Sequence, residues 1–366
     1  MDILADYLYW RGDLSFRERP FTVFDQMVCS AIAYFDIGDV YDPHKRQTLG
    51  KMLDLQQEKE GTQSTALDHR NTEKEFLKAI MGSKRFRNAV VTDYEDYYSS
   101  EDDVQFAAIT LRLDDGCVVV AFRGTDGTLA GWREDFMITF TRPKAQELAL
   151  QYLIRNLKWN TKVYVCGHSK GGNLAFYAAC SLNDKQLERV KAVYINDGPG
   201  LCEDVISKEQ MHRIDGITTV IMPEDSVFGR IFEPPFTNKL IVKSVNSGVM
   251  AHSIYSWRIE KNDFVLAKGF SKSSDMVNNT LNKMLEAQDL ETRKATVDKF
   301  FGLMKESGYE RLSDFRDNGF RDLLSMIAKF LGTELQDFRP GEAIRNQVEN
   351  FLSKVSRKNE RSILQH

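Results

Sequence analysis

The segment 162–177, KVYVCGHSKGGNLAFY, contains residues whose types and spacing could support nucleophilic catalysis. A largely apolar run precedes Gly167, and small residues recur at helical spacing after Ser169, so the pattern predicts a strand, a sharp turn and a helix. Glycines at 167 and 171 allow strand and helix to approach closely, and the turn lifts the serine hydroxyl out at the helix N-terminus. There the helix dipole and the N–H of Lys170 would face an oxyanion formed when that hydroxyl attacks a carbonyl.

The pattern Gly-x-Ser-x-Gly between a strand and a helix is the nucleophile elbow of α/β-hydrolases. A chance match is the alternative, but the apolar VYVC before the motif and GNLAFYAA after it favour a true elbow. A serine at its ordinary pKa is a poor nucleophile, so an imidazole must accept its proton and a carboxylate must orient the imidazole. In this fold the chain order is Ser, then the acid, then His.

That order leaves few candidates downstream of the serine. His212 lies in the polar connection MHRIDG and is expected at the surface, whereas His252 follows the strand-like run LIVKSV and a glycine-containing turn. His252 is therefore the predicted base. For the acid, Asp225 follows the strand-like TTVIMP and Asp197 follows AVYIN. Because the usual acid follows the later of these strands, Asp225 is predicted, with Asp197 as the alternative.

Strand-like runs recur from about residue 105 to 268 and alternate with helical patterns, such as the one over 144–157. Alternating strands and helices predict βαβ units, hence a three-layer α/β sandwich with a mostly parallel central sheet. The N-terminal 90 residues look mostly helical, and 58–71 is predicted to be a loop. After residue 270 four amphipathic stripes follow without a proline between 236 and 339. We expect a hydrolase domain over 1–270 and a helical appendage over 271–366.

Four segments resemble class 3, fungal-type lipases. The segment CVVVAFRGTDGTLAGWREDF at 117–136 is similar to their Phe-Arg-Gly-Thr/Ser segment. It is followed in family order by GHSKGGNLA at 167–175, MPEDSVFG at 222–229 and MAHSIYSW at 250–257. The first 110 residues and the DGPG at 197–200 more closely resemble a bacterial lipase-like branch of this superfamily.

The resemblance implies a catalytic triad of Ser169 as nucleophile, Asp225 as orienting acid and His252 as general base. It also implies that Thr125 contributes its backbone N–H, and its hydroxyl, to the oxyanion hole. The second donor of that hole would be the N–H of Lys170.

Further expectations concern the surroundings of this triad. The resemblance places Arg123 and Asp135 at either end of a lid segment, where they would form an ion pair. Lys170 stands where the family most often has an apolar residue, and its ammonium is expected near the mouth of the site, where it could favour an anionic substrate. His168 is expected to point away from the catalytic face and to form hydrogen bonds within the fold.

The composition bounds the remaining possibilities. The chain has 366 residues, a net charge of −4 and interleaved charges, which give no reason to expect nucleic-acid binding. No apolar run approaches the length of a membrane span, and the N-terminus does not fit a secretory signal. The five widely spaced cysteines are expected to be reduced core thiols in a cytoplasmic protein. The basic stretch 354–361 could make a weak contact with a membrane surface.

Together these features predict a serine hydrolase that cleaves a carboxylic ester or thioester with a hydrophobic acyl part, through an acyl-enzyme. An acyltransferase with the same triad and a non-catalytic binding or regulatory protein on a hydrolase scaffold are the alternatives. No feature predicts a metal or an organic cofactor. The expected partner is a small ester or lipid-like substrate, and the oligomeric state is left open.

Overall fold

The computed structural model describes residues 3–60, 70–99, 104–125, 128–158, 161–260, 262–286 and 288–311, with single positions at 314, 323, 326, 327 and 330. The helices are α1 (Ile3–Arg11), α2 (Val23–Ile32), α3 (Leu49–Glu60), α4 (Arg70–Gly82), α5 (Lys84–Arg87), α6 (Leu129–Met137), α7 (Lys144–Asn156), α8 (Lys170–Cys180), α9 (Asp184–Leu187), α10 (Lys208–Ile214), α11 (Lys272–Glu286) and α12 (Leu290–Glu306). The strands are β1 (Gln47–Thr48), β2 (Val90–Ser99), β3 (Val104–Arg112), β4 (Val118–Phe122), β5 (Val163–His168), β6 (Val190–Asn196), β7 (Thr218–Pro223), β8 (Lys239–Val242), β9 (Ile259–Glu260) and β10 (Asp263–Phe264).

Strands β1 to β8 form one sheet in which each strand pairs with its neighbours in chain order. The pairings from β1 to β4 are antiparallel, and those from β4 to β8 are parallel. Helices cover both faces of this sheet, which confirms the predicted α/β-hydrolase class with its mostly parallel central sheet. The carboxyl ends of β5, β6 and β7 therefore meet along one edge, where ligands bind in open α/β sheets.

The central strands are apolar throughout because both of their faces are covered. Alternate residues of β4 and β5 belong to opposite cores: Val120 and Val165 face the layer that contains α7 and α8. Val119 and Cys166 face the layer of N-terminal helices. Cys166 is fully buried in this second layer, as its position in the strand-like run suggested.

The N-terminal layer is held by a buried ion pair between Arg85 of α5 and Asp25 of α2. The guanidinium donates to both carboxylate oxygens at 2.7 Å, and its remaining N–H groups donate to backbone carbonyls. Because these donors are satisfied, the pair is tolerated inside the core. It joins α2 to α5 within the layer that also contains Val119 and Cys166 of the sheet.

The helices beyond residue 270 share a core with the sheet. Val277, Leu281, Phe300 and Phe301 belong to the same cluster as the inward side chains of β4 and β5. The domain boundary at 270 stays a prediction. The third and fourth predicted stripes, and most of the predicted loop over 58–71, lie largely outside the described residues.

Two general features of the described part bear on function. No helix in these ranges is both long and apolar enough to cross a bilayer. Over the same ranges, no group of three or more His, Cys, Asp or Glu side chains is arranged to hold a metal ion.

Candidate active site

Ser169 occupies the sharp turn between β5 and α8, as the sequence predicted. Its backbone has φ 57° and ψ −130°, a conformation rare for a residue with a side chain. The close approach on either side requires glycines: a Cβ on Gly167 would lie 2.1 Å from the carbonyl oxygen of Gly171, and one on Gly171 would lie 2.1 Å from that of Phe122. The elbow geometry is thus present, and the serine is 5% exposed.

His252 lies in the short 3-10 helix Gly248–His252, beyond the end of β8. Its Nδ1 is 2.6 Å from Oδ2 of Asp197, and both residues are buried. A carboxylate can only accept, so Nδ1 donates its proton to Asp197, and Nε2 is the nitrogen that could act as a base. Within the described residues, Nε2 of His252 has no hydrogen-bond partner, and the hydroxyl of Ser169 does not reach it.

The carboxylate that contacts His252 is that of Asp197, and not that of Asp225, which was predicted as the orienting acid with Asp197 as the alternative. Asp197 follows β6 directly and has a positive φ of 45°. Asp225 instead accepts a hydrogen bond of 2.8 Å from the backbone N–H of Gly248. It therefore anchors the turn that carries His252 without touching the imidazole.

Thr125 and Ser169 both contact the carboxylate of Asp135. Its hydroxyl donates to Oδ1 of Asp135 at 2.7 Å, and the Ser169 hydroxyl lies 3.5 Å from Oδ2 of the same side chain. Asp135 is 1% exposed, and burial raises its pKa to about 7. The expected ion pair between Arg123 and Asp135 is absent among the described residues, because Arg123 pairs with Asp96 of β2 at 2.7 Å.

The side chain of Lys170 is buried, contrary to the expectation that it lies at the mouth of the site. Its ammonium donates to the carbonyl of Gln105 at 2.7 Å and forms an ion pair with Glu134 of α6. The side chain is 2% exposed, so it cannot attract a substrate from solvent. Its backbone begins α8, where the first N–H groups of a helix have no acceptor within the helix.

His168 hydrogen-bonds within the fold, as expected, and one of its two bonds reaches the backbone of His252. Its Nε2 lies 2.8 Å from the carbonyl oxygen of His252, and its Nδ1 lies 3.0 Å from the hydroxyl of Tyr34. Since the carbonyl only accepts, Nε2–H donates to it, and Nδ1 accepts from the tyrosine. Burial holds the pKa of His168 well below its ordinary value, so the ring is neutral and its two hydrogen bonds are fixed.

Aromatic side chains cover the imidazole. The ring of Phe228 lies 4.6 Å from that of His252, and Trp132 of α6 packs on Phe228 at 4.5 Å between centroids. Helix α6 is braced in turn by α12, since Phe136 packs edge-on against Phe301. The described site is thus closed and lined on this side by apolar groups.

Sequence reasoning missed three residues around the dyad of Asp197 and His252: Tyr34, Ser226 and Phe228. The hydroxyl of Ser226 donates to Oδ1 of Asp197. Ser226 and Phe228 lie in the segment 222–229 that carried part of the resemblance, so attention to its hydroxyl and aromatic ring could have found them. Tyr34 follows α2, far from every motif, and nothing in the sequence marks it.

Similarity to known proteins is found with a family model and with solved structures. Four solved chains match, and one of them is M37 lipase, at 14% identity over 74% of this chain and 81% of that chain, with a TM-score of 0.37. No curated protein matches. The model of the Mbeg1-like family matches residues 80–302, which include every residue placed at the site except Tyr34. The chain belongs to the Mbeg1-like family, a class 3 lipase-like family.

Proposed function

We propose that the protein is a serine hydrolase that cleaves a carboxylic ester or thioester with a hydrophobic acyl part. The observation that carries this proposal is the pairing of a strained serine at a strand-to-helix turn with a buried His252–Asp197 dyad 2.6 Å apart. Maintaining a positive φ at a residue with a side chain costs free energy, and such strain is concentrated at functional sites. The lipase-like family points to the same reaction class.

In the proposed mechanism, Oγ of Ser169 attacks the acyl carbonyl and Nε2 of His252 accepts the hydroxyl proton. Asp197 holds the imidazole by its Nδ1–H and stabilises the imidazolium that forms. His252 then donates the proton to the departing alkoxide or thiolate, which leaves an ester between Ser169 and the acyl group. Water, deprotonated by the same imidazole, attacks this acyl-enzyme and releases the acid and the free serine.

The negative charge on the carbonyl oxygen needs donors in a dry environment. The backbone N–H groups of Lys170 and Thr125 are the proposed pair. The role of the Lys170 side chain is then to join α8 to α6 through Glu134, which fixes its own backbone. The proposed hydrophobic acyl group is supported by Phe228, which packs on the imidazole, and by Trp132, which packs on Phe228.

Labelling with a fluorophosphonate probe tests the proposal directly, because the probe reacts with activated serines. We expect the wild type to be labelled and to hydrolyse a short-chain ester. Ser169→Ala should abolish labelling and reduce kcat by a factor on the order of 10⁶, as expected when the triad acts as a unit. Ser181→Ala, which changes the serine at the other end of α8, is the matched control and should behave as wild type.

The proposed general base is tested by a variant and a matched control. His252→Ala should be nearly as damaging as Ser169→Ala, whereas His212→Ala should be close to silent because His212 is an exposed residue of α10. A wild type that neither labels nor turns over any ester would overturn the proposal and favour a binding role. Equal labelling of Ser169→Ala would exclude Ser169 as the nucleophile.

A further inference from the structure

The dyad is connected to helix α11 by a chain of buried hydrogen bonds. Ser226 lies in the turn after β7 and is 1% exposed. Its hydroxyl donates to Oδ1 of Asp197, while Oδ2 of the same carboxylate accepts from His252 at 2.6 Å. Each carboxylate oxygen is therefore held by a different element, and rotation of the carboxylate would break both bonds.

The backbone of Ser226 is held in turn by two side chains of α11. Its carbonyl oxygen accepts from the hydroxyl of Ser274 and from the amide nitrogen of Asn278, the latter at 3.2 Å. Residues four apart lie on one face of a helix, so both donors reach the same oxygen. Ser274 and Asn278 are 0% and 1% exposed, so solvent does not compete for these bonds.

The same face of α11 also forms hydrogen bonds to the segment that follows Ser226. Asn282, four residues after Asn278, donates to the carbonyl of Arg230 at 2.9 Å and accepts from the N–H of Phe232 at 3.1 Å. Arg230 donates back to the hydroxyl of Ser274 at 3.0 Å. A polar stripe on α11, defined as Ser274, Asn278 and Asn282, thus runs along the segment between β7 and β8.

The side-chain oxygen of Asn278 distinguishes this stripe from ordinary packing. Oδ1 of Asn278 is buried and has no hydrogen-bond partner among the described residues. Leaving such an oxygen unpaired costs free energy, so an apolar side chain of similar size would serve stability at least as well. The residue is therefore better explained by the bonds that its amide nitrogen donates.

We propose that Ser226 is a positioning residue of the active site and that α11 holds it in place through Ser274 and Asn278. This inference rests on the proposed function. Ser226 touches neither substrate nor the reacting atoms; it acts by fixing the rotation of the Asp197 carboxylate, and thereby the direction in which Nε2 of His252 points. Helix α11 is then part of the machinery of the site.

The kinetic test uses Ser226→Ala in the full-length protein. Loss of a hydrogen bond to a charged group predicts a fall in kcat of roughly ten- to a hundredfold, with KM unchanged. Ser226→Thr, which keeps the hydroxyl, should restore most of the rate. In the background of Asp197→Asn, adding Ser226→Ala should cost nothing further, because the group through which it acts is already changed. Independent, additive losses in the two backgrounds would overturn the proposal.

The helix is tested by Ser274→Ala and Asn278→Leu. Both should lower kcat in the same direction as Ser226→Ala, and Asn278→Leu should do so while the free energy of unfolding stays equal or rises. Thr280→Val is the matched control, because in the part of the chain that the structure describes, the hydroxyl of Thr280 bonds to the carbonyl of Met276 within α11 and to no other group. If Asn278→Leu keeps full kcat, or if Thr280→Val loses as much, α11 has no positioning role.

A spectroscopic arm keeps this inference distinct from the proposed function. The proton between Nδ1 of His252 and Asp197 should give a low-field ¹H resonance that Asp197→Asn removes. We expect Ser226→Ala to shift or broaden it and Thr280→Val to leave it unchanged. If Ser226→Ala changes this resonance but the wild-type protein does not react with the fluorophosphonate, the proposed hydrolase function is overturned and the positioning role of Ser226 is retained. A resonance that is absent from the wild type, or unchanged in Ser226→Ala, would overturn the inference itself.

Discussion

Asp197 contacts His252 through a 2.6 Å hydrogen bond, whereas Asp225 contacts the backbone of Gly248, which precedes His252 by four residues. We therefore expect Asp197→Asn to lower kcat by a factor on the order of 10⁴, because the amide favours the wrong imidazole tautomer. Asp225→Asn should stay close to wild type, since its remaining amide oxygen can still accept from Gly248. Steady-state hydrolysis of a short-chain ester measures both, and the reverse order of losses would assign the acid to Asp225.

Lys170 and Glu134 form a buried ion pair between α8 and α6. Lys170→Leu leaves the Glu134 carboxylate without this partner, so we expect it to lower the free energy of unfolding by about 3–5 kcal/mol. Adding Glu134→Leu should recover part of that loss, because the carboxylate that Lys170 contacts is then removed as well. Urea unfolding measures each variant. A Lys170→Leu protein of wild-type stability would show that the ion pair does not form in solution.

The buried carboxyl of Asp135 predicts a specific dependence of stability on pH. Its pKa is raised by burial to about 7, above the ordinary value of 3.8. Between these values the folded state binds a proton that the unfolded state has lost, so this contribution to stability is present below about pH 4 and is lost as pH rises toward 7. The full loss is on the order of 4 kcal/mol.

Asp135→Asn should remove this slope and leave a protein that is more stable than wild type at pH 7.5, since the amide can still accept from Thr125. Urea unfolding at several pH values between 4 and 8 provides the measurement. Asp263→Asn, at an exposed position of β10, is the control and should leave the slope intact. Parallel curves for wild type and Asp135→Asn would contradict the raised pKa.

Gly229 lies against the carboxylate of the dyad. A Cβ at this position would be 2.3 Å from Oδ1 of Asp197, where the hydroxyl of Ser226 already donates. Gly229→Ala should displace the carboxylate and lower kcat, at a stability cost of about 1–3 kcal/mol for the overpacking. Gly216→Ala is the matched control, because a Cβ there meets nothing within 4 Å. Unchanged kcat in Gly229→Ala would show that the carboxylate tolerates movement.

The strands around the site and the elbow could be predicted from the sequence because their signals are local. Apolar runs of strand length and the contiguous Gly-His-Ser-Lys-Gly report on backbone geometry within a few residues. His252 was predicted as the base by elimination, since few histidines follow the serine, and its role stays a proposal. In the structure, Thr125 and Ser169 contact the same carboxylate, and His168, next to the serine, bonds to the backbone of His252.

The aspartate that contacts His252 could not be chosen from the sequence, because Asp197 and Asp225 both follow a strand. The contact joins residues 55 positions apart in the chain, and no local pattern reports it. The burial of Lys170 could not be predicted for a related reason. Its partner Glu134 lies 36 residues earlier in the chain, and no local pattern links the two. The polar stripe of α11 was hidden by the apolar stripe of the same helix.

The outer edge of the sheet has a consequence for how copies of this protein meet. Strand β1 covers only Val90 and Val91 of β2, so in the described ranges the rest of β2 has its outer edge uncovered by another strand. This stretch carries Asp93, Glu95 and Asp96, whose carboxylates are held by Arg155 and Arg123. Exposed strand edges invite pairing between molecules.

If two copies of β2 met edge to edge, these carboxylates and their arginine partners would lie along the new strand pair. Charged side chains on an edge strand must lose water, and here also disturb their ion pairs, when a second strand adds there. The row of ion pairs on β2 is therefore expected to make self-pairing unfavourable at an edge that is otherwise long enough to template it.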